Sequence, residues 1–163
     1  MAYRIFQENS ESQNRKLHLR TFSVVCLNEE CGIIEWVPST AGFRSLVSSA
    51  YAQSPDIYIA PNFTEIKSAY EPSQERFESN FESLLVEYKK KVLSKYHPCF
   101  HLWFLQTFSD PTEWYEARGT FTRSCAVWSA VGHIVGLGDR HGDNILIDTN
   151  TADCVHVDFD CLF

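Results

Sequence analysis

The stretch GLGDRHGDNILID at 136–148, followed closely by CVHVDFD at 154–160, restricts this chain more than any other part of it. Two β-forming runs, ILID (145–148) and CVHV (154–157), flank Thr149-Asn150-Thr151-Ala152-Asp153 and are expected to pair as an antiparallel hairpin. With Thr151 at the midpoint, Asn144 faces Asp158. Directly opposed residues share a face, with Cβ atoms roughly 4.5–5.5 Å apart, so an amide oxygen and a carboxylate would converge on one hard cation. Magnesium is commonly held by few protein oxygens, with water and phosphate supplying the rest. A slip of one residue would separate the two. Asp139 lies on the turn before Asn144, and a loop carboxylate beside a metal can take a proton from an attacking hydroxyl. His141 is near enough to donate a hydrogen bond to a phosphate oxygen or to brace the loop. Gly136, Gly138 and Gly142 permit the tight backbone that such crowding needs.

The bulk composition is that of a globular chain: 163 residues, 44% hydrophobic and 21% charged. A net charge of −7 disfavours a general nucleic-acid binder, which needs a basic face. No direct nucleic-acid contact is expected, whereas a small anionic substrate remains open. The six cysteines form no CxxC set and read as free thiols in a reducing compartment. No signal peptide or bilayer-length apolar run is present, so neither a membrane partner nor secretion is expected. The opening MAYRIFQENSESQNRK reads as the interior of something longer, and DFDCLF stops just after the richest motif. A piece of a longer protein is the expectation.

Along the chain, residues 2–8 read as the end of a helix and 9–16 as a polar loop. Two strands are expected at 17–27 and 32–37, joined by a turn at Asn28-Glu29-Glu30. Pro38-Ser39-Thr40 ends the second, and 40–53 suits a short helix. Residues 54–72 form a connector. A helix is expected from Ser73 to Tyr96, with Ser79 and Glu82 as a capping box. Asp110-Pro111 looks like an N-cap followed by a first-turn proline, and a further helix runs from about Thr120 to Val135, stopped by Gly136 and Gly138. Segregated strands and helices favour an α+β chain.

The spacing Asp-x-x-x-x-Asn, then a strand pair and Asp-Phe, is that of a protein-kinase catalytic loop and metal loop. The order Asp139-Arg140-His141, with CGIIEWV at 31–37, HPCFHLWFLQTFSDPTEWY at 97–115 and DCVHVDFDCLF at 153–163, resembles the phosphatidylinositol 3-kinase-related protein kinases, in their ATR-like checkpoint branch. The resemblance implies an incomplete two-lobe kinase fold of the PI3/PI4-kinase type, with 1–37 the end of an amino lobe and 38–163 the first half of a carboxyl lobe. It implies Asp139 and His141 as catalytic, and Asn144 and Asp158 as ligands of Mg2+ (or Mn2+). Glu35, Trp36 and Val37 would be the hinge beside the adenine of ATP, with Leu146 and Val157 under the nucleotide. It further implies protein substrates with Ser/Thr-Gln sites, a regulatory partner subunit and nuclear localisation. Asp160 stands where many kinases have glycine. The glycine-rich phosphate loop and strand lysine of such kinases are not found upstream, so the isolated chain is expected to be inactive.

Other readings remain open. GDRHGD also resembles a metallophosphatase signature, but the further ligand segments of such enzymes do not follow. A truncated, non-catalytic scaffold is a second alternative, and a phosphoinositide lipid kinase, which shares the Asp-Arg-His order, is a third. His133 and His156 are expected to be structural, and Trp103, Phe104, Phe108, Trp114 and Trp128 to pack a core.

Overall fold

β4 (Ile145–Asp148) is paired on both edges. It runs antiparallel to β3 (Thr40–Gly42), with Ala41 opposite Ile147, and antiparallel to β5 (Cys154–His156), with Leu146 opposite Val155. The computed structural model describes residues 2–62, 64, 66, 67 and 81–159. These divide into two units, Met1–Leu46 with Phe104–Phe163, and Val47–Trp103.

In the first unit, α1 (Ala2–Glu8) and α2 (Ser10–Asn14) precede a hairpin of β1 (Val24–Cys26) and β2 (Gly32–Ile34), paired Val25 to Ile33. The polar stretch expected to be a loop is thus partly helical. Its cause is capping rather than an apolar stripe, because the Asn9 side chain accepts the Ser12 N–H at 2.9 Å. The hairpin is found where expected, but its ladder is shorter than the β-forming runs around it. The strand β3 was not expected: Thr-Ala-Gly carries no periodic signal, and only the edge of β4 makes it a strand.

The main support of the sheet is α6 (Pro111–Ile134), which α3 (Phe43–Gln53), α4 (Phe81–Tyr88) and α5 (Phe100–Thr107) precede in the chain. α6 spans Pro111–Ile134, so the two helical signals seen at Asp110-Pro111 and Thr120 belong to one helix of 24 residues. The Asp110 carboxylate accepts the Thr112 and Glu113 N–H groups at 2.8 and 3.1 Å. At the other end Gly136 adopts φ 61°. There the Leu137 N–H reaches the Gly132 carbonyl at 2.8 Å and the Gly136 N–H reaches that of His133 at 3.3 Å, a Schellman ending. One face of α6 closes the free edge of β5. Ser124 Oγ accepts the Cys154 N–H at 3.0 Å, and Trp128 Nε1 donates to the Cys154 carbonyl at 2.9 Å. An exposed strand edge is thereby satisfied. Ile147 and Val155 are completely buried in the sheet.

A second tie comes from the segment before β1. His18 Nε2 lies 3.0 Å from Asp153 Oδ2, and Arg20 pairs with the buried Asp148 carboxylate. Burial raises the Asp148 carboxyl, but Arg20 and the N–H groups of Asn150 and Thr151 outweigh it and hold it below the ordinary range.

In the second unit, Ala50, Tyr51 and Cys99 form a small buried cluster with Val47, Tyr58 and Leu102 against it, and the Tyr51 hydroxyl donates to the His97 carbonyl at 2.9 Å. α4 continues into one π-helical turn, Lys89–Leu93, that buries Val92. Residues 73–80 of the expected helix, and Ser79 of its capping box, lie outside the described residues, as does Asp160. Trp103, Phe104, Phe108 and Trp128 are buried as expected, while Trp114 is half-buried beneath the Arg118 guanidinium. The five described cysteines are free.

Two outcomes follow from these contacts. Ile147→Ala should destabilise by about 2–5 kcal/mol in denaturant melts, since it empties a fully buried site. The Asp153 hydrogen bond raises the His18 pKa against its burial. A raised folded value means that stability from this pair is fully present below the unfolded pKa of about 6.5. It is lost as pH rises through the folded value. Tm should therefore fall over the pH range just above 6.5, and Asp153→Asn should flatten that slope.

Candidate functional site

Two loops and one cleft meet at the open end of the β4–β5 hairpin. The first loop leaves α6 through Gly136 and carries Asp139, Arg140, His141 and Asn144. Asp139 adopts φ 50°, a left-handed backbone that aspartate tolerates better than most side-chain-bearing residues. Its carboxylate is largely exposed. Asn144 is 7% exposed and its Nδ2 donates to the Asp139 carbonyl at 3.0 Å. That bond fixes the amide and leaves Oδ1 as its remaining acceptor. His141 Nδ1 accepts the Asp143 N–H at 3.2 Å, so the ring proton resides on Nε2, which lies 3.9 Å from Asp139 Oδ2. The imidazole thus offers one N–H to whatever sits beside Asp139.

The loop also rests on the start of α3. Gly142 O accepts the Arg44 N–H at 2.9 Å, and Arg44 Nε pairs with Asp143 at 2.8 Å. A Cβ on Gly142 would stand 3.1 Å from Arg44 Cβ and 3.2 Å from its N, which explains glycine here by close approach rather than by φ.

The second loop follows β5. The observed ladder places Asn144 opposite Val157, whose N–H reaches the Asn144 carbonyl at 3.1 Å. The expected facing of Asn144 and Asp158 is therefore wrong by one residue. The connecting loop is Thr149–Ala152, four residues rather than five, because Asp153 O takes the Asp148 N–H and joins the ladder. Asp148 Oδ1 accepts the Asn150 and Thr151 N–H groups, and Ala152 turns left-handed at φ 60°. Asp158 nonetheless reaches the same region. Its φ of 62° takes it out of the strand alternation, and it lines the cleft alongside Val157.

That cleft has a volume of about 560 Å³. It is lined by a wall segment, Glu35, Trp36 and Val37, together with Leu146, Val157, Asp158 and Phe159, and by Phe22, Val24, Ile34 and Thr40. All five residues expected to contact a nucleotide line it. The wall has a specific hydrogen-bonding pattern. The Glu35 N–H is taken by Ser23 O at 2.8 Å, and the Val37 carbonyl by Thr40 Oγ1 at 2.9 Å. Among the described residues the Glu35 carbonyl and the Val37 N–H have no such partner, giving one acceptor and one donor two residues apart. The Glu35 carboxylate accepts the Ser23 N–H, which lowers its pKa. Trp36 is 86% exposed, so its indole packs no core.

Arg140, Phe22, Thr40 and Phe159 belong to this region and were not singled out by the sequence. A residue with five donors flanked by glycine-loop carbonyls was the available signal for Arg140; the others carry none. His156 stacks on Trp128, 4.7 Å between ring centroids and 3° between planes, and burial with the nearby Arg140 charge lowers its pKa to about 4. It is neutral and structural at neutral pH. The candidate metal ligands, Asn144 Oδ1 in the first loop and the carboxylate of the cleft-lining Asp158, are hard oxygens. Among the described residues no three His, Cys, Asp or Glu side chains group as a metal site. Such a donor set fits a divalent cation that takes its remaining ligands from phosphate and water.

Residues 2–163 match the family described as phosphatidylinositol 3- and 4-kinase. The chain is 47% identical over its whole length to the serine/threonine-protein kinase ATR of Oryza sativa subsp. indica, and 45% identical to that of Arabidopsis thaliana. It is 40% identical over 160 residues to the protein kinase rad3 of Schizosaccharomyces pombe. It spans 6% of the length of each of these relatives. A solved structure of the FAT and kinase domain of CtTel1 superposes with a TM-score of 0.81 at 30% identity, covering 98% of this chain and 11% of that one. The α+β kinase-type fold and the resemblance expected from the motifs are thus borne out: the chain is similar to serine/threonine-protein kinases named ATR, and it belongs to the phosphatidylinositol 3- and 4-kinase family.

Proposed function

We propose that this chain carries the nucleotide floor, catalytic loop and metal loop of an ATP-dependent serine/threonine protein kinase of the replication-stress and DNA-damage checkpoint type. One observation carries the reading: Glu35, Trp36, Val37, Leu146, Val157 and Asp158, far apart in sequence, line a single cleft. In this reading the boundary between amino- and carboxyl-lobe parts falls at 37/38. The Glu35 carbonyl accepts from the adenine amino group, the Val37 N–H donates to the adjacent ring nitrogen, and Trp36 covers the base. Leu146 and Val157 lie beneath it.

Asn144 and Asp158 would hold Mg2+ or Mn2+, which supplies charge neutralisation between the phosphates when bound. The chain's own groups do the rest. Asp139 accepts a hydrogen bond from the substrate serine or threonine hydroxyl, orients it and takes its proton. The hydroxyl oxygen bonds to the γ-phosphorus as the bond to the β,γ-bridging oxygen breaks, and ADP leaves with that electron pair. His141 Nε2–H donates to an equatorial phosphate oxygen. Catalysis is then positioning plus electrostatics. Ser/Thr-Gln protein substrates, a regulatory partner subunit and a nuclear location complete the reading, as the resemblance of the motifs implies. The isolated 163 residues are proposed to bind nucleotide but turn it over poorly.

The match of residues 2–163 to the phosphatidylinositol 3- and 4-kinase family supports the kinase over the metallophosphatase reading. A scaffold role would make nucleotide binding indifferent to magnesium. Asp139→Ala in the full-length protein should cut turnover by about 10²–10⁴-fold with ATP affinity unchanged by calorimetry; parallel loss of both would contradict the assigned role. Trp36→Ala should weaken adenosine binding by about 1–3 kcal/mol in metal-free titrations.

A further inference from the structure

We propose that Arg140 is a positioning residue that fixes the Asp158 carboxylate relative to the Asn144 amide. The inference rests on the metal-site reading above and adds to it the group that sets the site's geometry.

The β4–β5 ladder ends at the Asn144–Val157 pair, where the last interstrand bond is 3.1 Å long. Beyond it, Asp158 turns left-handed and leaves the sheet. Backbone pairing therefore places Asn144 but not Asp158. The Arg140 guanidinium takes over at that point. Its Nη1 donates to Val157 O at 2.7 Å and to Asn144 O at 3.4 Å, and its Nη2 donates to Asp158 O. Its Nε donates to Gly138 O at 2.7 Å, which anchors the fork to its own loop. One planar group thus receives four carbonyls from both loops, and the cation also lies 6.0 Å from the Phe159 ring centroid. Among the described residues no acid pairs with Arg140, so its work is the ordering of carbonyl dipoles. A planar five-donor fork suits this, and a lysine, with its donors on one rotating ammonium, does not.

Outer groups that orient metal ligands typically contribute about 10–100-fold to affinity. In the full-length protein, Arg140→Lys should raise the magnesium concentration that half-saturates binding of a fluorescent non-hydrolysable ATP analogue by about that factor. Adenosine affinity without metal should fall by a smaller factor than the magnesium dependence shifts, since Arg140 reaches the cleft lining only through the Val157 and Asp158 carbonyls and the Phe159 ring. A wild-type magnesium curve, or an equal fall in adenosine binding, would overturn the proposal. If Arg140→Lys does not fold, Arg140→Gln, which keeps two N–H donors without charge, is read by the same titrations. Failure of both to fold makes Arg140 a folding requirement and also overturns it. Asp158→Asn, run in parallel, separates the two levels. If it leaves the magnesium curve unchanged, the metal-site reading fails and this inference with it. If it shifts the curve and Arg140→Lys does not, only the role of Arg140 fails.

Discussion

The double pairing of β4 is the constraint on which the rest depends. On one face of the hairpin Leu146 and Val157 turn to the cleft; on the other, His156 meets Trp128 of α6. Because side chains alternate along a strand, a slip of one residue would exchange these faces. Ile147 would be driven out of a site from which water is wholly excluded, and Leu146 would lose the cleft. The β3 partner on one edge and the Ser124 and Trp128 contacts on the other hold the register from both sides. Asp148 closes the turn between the strands and also receives Arg20. The same short sheet therefore positions a core, a cleft floor and a loop amide.

Much of this could be read from the residues, and the parts that could not have physical causes. The helix ends were legible because Asp110-Pro111 and Gly136 are local signals with local mechanisms. The candidate site residues drew notice because their spacing in the Asp139–Asn144 loop and the Asp-Phe pair is a pattern of chemistry rather than of periodicity, and the fold brings Asp158 to one cleft with the five expected nucleotide contacts. The hairpin register was not. It turned on whether Asp153 belongs to the loop or to the ladder, which the Asp148 side chain and a left-handed Ala152 decide, and alanine gives no warning of positive φ. The strand at Thr40–Gly42 was invisible for a related reason, since its conformation is imposed by a partner about a hundred residues away in the chain.

The error in register changes how the acidic residue reaches the cleft but not whether it does. A ladder would have placed Asn144 and Asp158 by backbone pairing alone. Instead the strand stops one residue short, and a turn with a cationic side chain beneath it finishes the placement. A site assembled in this way has one half placed by strand pairing and the other by a turn and a side-chain fork.

Asp139 and Asp158 both sit at positive φ, and this narrows the alphabet at each position from two directions. The backbone favours glycine, asparagine and aspartate, while the proposed chemistry asks for a carboxylate. Only aspartate satisfies both demands. Glutamate would keep the charge yet strain the chain and push the oxygens one methylene farther out. Asparagine would keep the chain at ease and remove the charge, which makes it the isosteric probe that reports on electrostatics alone.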